Sequence, residues 1–211
     1  MANKQSTGLK PVRHLNGAPW NGQTIKCSIE SGHSGSLFIG DPVVLTGSAD
    51  ATGAYPTVGI ASAGAGNPVF GVITSFDANP TDLTSMFFLT GATPGRLCNV
   101  CYAGDVLFEA QGNSAGVIAA TDVGALAALV ATPDGTTTGN VTTGISSWGI
   151  NYTGIATTNS LQVRIMGAVD RPDNDITAIY AKWLVFINIQ HLTTGASNAS
   201  AGTTYLGAVG V

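Results

Sequence analysis

The chain has 211 residues, 28 of them Gly, with 44% hydrophobic and only 9% charged residues and a formal net charge of −4. That length can bury about 70% of the unfolded chain's surface without staples, while a composition rich in Gly, Ala, Thr and Ser and poor in Glu, Lys, Arg and Leu speaks against long exposed helices. The cations are scattered, which excludes a basic footprint for nucleic acid; the apolar runs, such as 183–187, are too short to span a bilayer, and the opening MANKQSTGLKPVRH lacks the apolar stretch of a signal peptide.

Residues 1–22 carry Gly8, Pro11, Gly17, Pro19 and Gly22 among irregularly spaced apolar residues, Leu9, Val12, Leu15 and Trp20. This neither alternates nor repeats every three to four residues. The segment reads as an extended N-terminal arm on which Trp20 needs a partner to bury it.

From residue 23 to 211 the signals are those of β-structure. Segments 24–29, 36–39, 43–46, 69–76, 85–89, 97–102, 106–110, 160–169 and 181–190 are rich in β-branched or aromatic residues and bounded by Gly, Pro, Asn or Asp. Many short strands without a long amphipathic helix predict an all-β fold, a β-barrel or compact β-sandwich with at most one or two short helices. The helical candidate is 122–131, where Thr121 or Asp122 can cap and Ala125, Leu126, Ala128 and Leu129 can pack, although Gly124 weakens it.

Two stretches, 47–67 and 132–159, have little pattern. The second, rich in Thr and Gly, reads as an insertion or projecting hairpin whose Trp148 and Tyr152 touch a neighbour. Phe38-Ile-Gly-Asp-Pro-Val-Val-Leu45 echoes Tyr102-Ala-Gly-Asp-Val-Leu-Phe-Glu109, because both run through a Gly-Asp turn into an apolar strand. Reuse of turn chemistry competes with duplication as the explanation.

Reactive residues do not converge. Cys27, Cys98 and Cys101 are an odd set that argues against a disulfide framework, and Cys98-Asn-Val-Cys101 lacks the second ligand pair of a zinc site. On a strand, residues three apart point to opposite faces. Asp170, Asp173 and Asp175 are followed by neither the Gly nor the Glu of a common calcium loop. They read as a corner, begun by Pro172, where Arg171 pairs with a carboxylate of its own turn or of a neighbouring subunit. No nucleophile elbow, zinc-protease helix or phosphate-binding loop is present, so neither catalytic residues, a metal nor a cofactor is expected.

Four runs together resemble small structural proteins that coat or cement the heads of tailed bacteriophages, including marine and cyanobacterial phages. They are Gly8-Leu-Lys-Pro-Val-Arg-His-Leu-Asn-Gly-Ala-Pro-Trp-Asn-Gly22, Leu37-Phe-Ile-Gly-Asp-Pro-Val43, Val69-Phe-Gly-Val-Ile-Thr-Ser-Phe76, and Val169-Asp-Arg-Pro-Asp-Asn-Asp175 with Ala181-Lys-Trp-Leu-Val185. The resemblance implies a capsid decoration protein: a β-barrel module, synthesised in the host cytoplasm, that binds the major capsid protein on the outer surface of the virion head as a homotrimer. It implies that residues 8–22 reach neighbouring subunits, with Arg13, His14 and Trp20 as contacts, and it brings no partner of nucleic acid or membrane. A surface so poor in charge fits a protein covered by partners. The alternative is a virion fibre or receptor-binding module, with 132–159 facing host glycans.

Overall fold

The computed structural model describes residues 4, 7–79, 81–135 and 137–192. In chain order the strands are β1 (Lys10–His14), β2 (Ile25–Ile29), β3 (Pro42–Ala49), β4 (Pro56–Ile60), β5 (Gly71–Phe76), β6 (Arg96–Tyr102), β7 (Val106–Gln111), β8 (Leu126–Ala127), β9 (Leu129–Val130), β10 (Gly139–Asn140), β11 (Ile145–Ser146), β12 (Gly149–Ile150), β13 (Val163–Ala168) and β14 (Lys182–Ile187). A 3-10 turn, Ala120–Asp122, is the one helical element among the described residues. The fold is all-β.

Strands β2, β4, β3, β5 and β6 close into a barrel in that order, antiparallel except for the parallel β2–β4 contact. Alternation along each strand turns Cys27, Ile29, Val43, Val58, Ile73, Cys98 and Val100 inward, where Leu37, Phe70 and Phe88 complete the filling. Closure leaves this sheet without an exposed edge.

The second layer is a sheet ordered β1-β7-β14-β13-β8. Its inner face, Val106, Phe108, Ala110, Val163, Ile165, Trp183, Val185 and Ile187, packs with Val69, Val72 and Cys101 from the barrel region in a second core. Cys98 and Cys101 therefore serve different cores, as opposite faces of one strand must. Burying each such Val, Ile or Phe contributes about 1.5–3 kcal/mol relative to exposure.

Residues 7–20 are not a free arm. Leu9 is buried, its N–H donates to the Gly40 carbonyl at 2.9 Å, and β1 pairs with β7 along the sheet edge. Gly8 and Gly40 both have positive φ and touch, so a Cβ on Gly40 would lie 3.0 Å from the Gly8 Cα. The chain then doubles back, Trp20 N–H bonding the Val12 carbonyl, and covers the outer edge of β1. This segment clips barrel and sheet together because its apolar residues gain more from that core than from solvent.

Other expectations change as well. The proposed helix 122–131 is instead β8 and β9: Gly124 adopts φ +93, and Leu126 and Leu129 are buried by pairing with β13 and β12. Segment 132–159 is no projecting insertion, since Trp148 and Ile150 lie in the core between the two layers. Segment 47–67 contains β4, a barrel strand. Segments 36–39 and 85–89 form loops joined by the single bridge Leu37–Phe88. The two Gly-Asp turns are unlike: Asp41 is buried, whereas Asp105 is exposed.

Candidate interaction surface

The expected contact residues divide. Arg13 is exposed on the outer face of the five-stranded sheet, in the cross-strand row Arg13–Leu107–Phe186–Arg164. His14 sits beside it with Nδ1 at 2.9 Å from Asp105 Oδ2. Trp20 packs partly buried against the core. Trp148, expected to meet a neighbour, is 2% exposed, because the sheet and barrel enclose it within this chain. Tyr152 remains 39% exposed and lines a shallow hollow with Val117, Ala119, Asp122 and Thr153.

The acidic corner connects β13 to β14. Arg171 forms a fork with Glu109, Nη1 to Oε2 at 3.1 Å and Nη2 to Oε1 at 3.0 Å, and its Nε lies 3.3 Å from Asp173 of the same turn. The Glu109 bonds raise the guanidinium pKa above its ordinary value. Asp170, Asp173 and Asp175 are exposed, and Asp175 accepts from the Thr177 N–H and hydroxyl. Asn174 holds the corner shut, donating to the Val169 and Lys182 carbonyls and accepting from Lys182 N–H at 2.8 Å. No local pattern in the sequence assigns Glu109 or Asn174 to this corner, although a Glu inside the apolar run Val106–Gln111 demands a buried partner.

That demand sets an expected result. Arg171→Ala leaves the Glu109 carboxylate, 8% exposed, without its fork and should cost about 2 kcal/mol in urea unfolding. Adding Glu109→Met should recover most of the loss, since the uncompensated charge goes with it. Equal stability of Arg171→Ala and the parent chain would contradict this account.

A second exposed surface lies at one end of the barrel. Leu83 is 81% exposed, Val141 64%, and Met86 and Leu89 56% each. The loop between β5 and β6 and the β10–β11 hairpin bring Met86, Leu89 and Val141 around a cleft of about 610 Å³, with Leu83 on the same loop outside its lining. Arg96 fixes the loop: Nε donates to the Asp77 carbonyl, Nη1 to Phe87 O and Ser85 Oγ, and Nη2 to Ser85 O, all within 3.3 Å. The planar guanidinium is suited to such a fixed set of acceptors. It also lies 5.2 Å from the Phe76 ring centre.

The three cysteines are free and buried. Burial pushes the Cys27 thiol up to about 11 and the Cys101 thiol to about 12, and raises Cys98 further, so all three stay protonated and unreactive at neutral pH. Among the described residues no group of three or more His, Cys, Asp or Glu is placed to hold a metal ion. No helix among them is long and apolar enough to cross a membrane. No protein-family model, curated protein or solved structure matches the chain.

Proposed function

We propose that this protein is a capsid decoration protein of a tailed bacteriophage, which binds the major capsid protein on the outer surface of the head and stabilises the shell. The observation that carries the reading is the barrel-end patch, where Met86, Leu89 and Val141 stand exposed around one cleft and Leu83 is exposed on the same loop as Met86 and Leu89, which Arg96 holds at Asp77, Ser85 and Phe87. Apolar side chains gathered on a fixed support are the mark of a docking surface, because their cost in water is repaid when a partner covers them. The motif resemblance supplies the partner's identity, and the low surface charge fits a molecule packed among neighbours. Its location is then the virion, after synthesis in the host cytoplasm.

The test is co-sedimentation with expanded capsids lacking the protein. The intact chain should saturate at a fixed ratio to the capsid subunit. Leu83→Asp with Met86→Asp should weaken binding about 100-fold or more while leaving the melting temperature within a few degrees, since both side chains are exposed. Unchanged affinity in the double variant, or no binding by the intact chain, would overturn the reading. Deleting residues 1–22 is a poorer test, because it also removes an edge strand and the buried Leu9.

The receptor-binding alternative has its own supporting observation in the exposed Tyr152 ring beside Asp122 and Thr153. Glycan-array binding that disappears in Tyr152→Ala would favour it.

A further inference from the structure

In the barrel β2 and β6 run antiparallel, and in the middle of their ladder Cys27 stands directly opposite Cys98. Both side chains point into the same barrel core and are wholly buried. Directly opposed residues of antiparallel strands have Cα atoms about 4.5–5.5 Å apart, and a disulfide spans Cα separations of about 4.4–6.8 Å. Cys101 faces the other core, so of the pairings that three cysteines allow, the fold brings together Cys27 and Cys98 alone. The pair also sits where a tie has most effect. The other barrel neighbour of β2 is β4, which it meets through one parallel pair, Ser28–Thr57. The chain between Cys27 and Cys98 carries β3, β4 and β5, so a bond between them would close the barrel-forming chain into a loop of about 70 residues.

We propose that Cys27 and Cys98 are a latent cross-strand disulfide, left as two thiols when the chain folds in reducing surroundings and joined when it folds in the presence of a low-molecular-weight disulfide such as oxidised glutathione. The thiolate of one cysteine attacks the oxidant, forming a mixed disulfide and releasing one glutathione thiolate. The thiolate of the other attacks the protein sulfur of that mixed disulfide and releases the second glutathione. One protein disulfide is gained, one glutathione disulfide is reduced, and the protons of the two cysteines end on the two glutathione thiols.

Burial sets the timing. In the closed barrel it holds both thiols protonated, and side chains so fully enclosed leave no space for a glutathione adduct. The bond therefore forms as the barrel closes around the pair. A copy that opens after leaving a reducing compartment recloses more stable than it was made, because the new link restricts its unfolded state.

Oxidative refolding of the full chain tests this. Reduced, denatured protein is diluted into a buffer of oxidised and reduced glutathione, and the remaining thiols are alkylated under denaturing conditions and counted by mass. The wild-type chain should keep one thiol of its three, and Cys101→Ala none. Cys27→Ala and Cys98→Ala should each keep both of theirs. Refolding with oxidant should raise the melting temperature of the wild type and of Cys101→Ala by about 8 °C over the reduced protein. Should an alanine variant not fold, the wild-type thiol count and melting shift still decide. Three thiols after refolding, an internal bond in a variant lacking Cys27 or Cys98, chains joined to one another, or a rise below about 4 °C would each overturn the proposal. Because capsids are absent, failure here is separate from failure to decorate a head.

Discussion

Asp41→Asn is expected to raise the melting temperature at pH 8 by roughly 8 °C or more and to flatten its pH dependence between about pH 4 and 7. Asp41 is 1% exposed in the turn after Gly40, where barrel, N-terminal segment and β11 meet. Its Oδ2 accepts from the Phe38 N–H at 2.7 Å. Burial pushes the carboxyl up to about 7, against the lowering effects of the Ser146 hydroxyl and the Phe38 N–H. The native state thus holds the proton more tightly than the unfolded chain, whose carboxyl titrates near 4. Stability is greatest below that value, falls as pH rises through the window, and levels off above about 7. The charge then costs about 4 kcal/mol, at about 1.4 kcal/mol for each unit of displacement. Asn keeps an acceptor for Phe38 and removes the charge. Melting curves from pH 4 to 9 should converge at the acid end and separate at the alkaline end; parallel curves would refute the assignment.

Gln162→Leu should lower stability by about 3 kcal/mol, a fall of roughly 6–12 °C in melting temperature. The fully buried amide uses its whole hydrogen-bonding capacity. Its oxygen accepts from Gly64 N–H at 2.9 Å and Leu129 N–H at 3.0 Å, while its nitrogen donates to the carbonyls of Ser62 at 3.0 Å and Asn67 at 3.1 Å. One side chain thereby ties the loop between β4 and β5 to β9. Leucine fills similar space but strands four backbone groups, each costing about 1–3 kcal/mol where water cannot reach. Water at the exposed Ser62 relieves part of the sum. Gln162→Glu, whose second oxygen faces the Ser62 and Asn67 carbonyls, should cost at least as much at neutral pH and less at acid pH, and a Leu variant melting within about 3 °C of the parent would contradict this role.

The surfaces were legible in part. Arg171 stood out because four charges in six residues are conspicuous in a chain this neutral, and its pairing with Asp173 is local. Its main partner, Glu109, is 62 residues away. Arg96 has no local signature, being one cation at the start of an apolar strand, yet it organises the loop that bears Leu83. The apolar residues of 85–89 have the composition of a strand, but in the structure they form a loop that leaves Met86 and Leu89 exposed while Phe88 fills the barrel. Trp148 has the small, polar sequence neighbours of a surface aromatic; the Gln111 backbone and the Pro133 Cβ around Gly149 instead mark a tightly filled interior.

By itself the sequence determined the all-β class, the main strands 25–29, 71–76, 96–102, 106–111, 163–168 and 182–187 to within a few residues, and the corner at Pro172. Those properties are local: alternation, β-branched content and turn residues act over two to eight positions. The tertiary structure alone decided that residues 10–14 join β7, that 126–130 are strands, that β2 lies parallel to β4, and that Arg171 meets Glu109. Each of these depends on which apolar faces cover one another, and that choice is made by the summed burial of residues far apart in the chain, such as Leu9 and Ile187 of one core, for which no local pattern carries a signal.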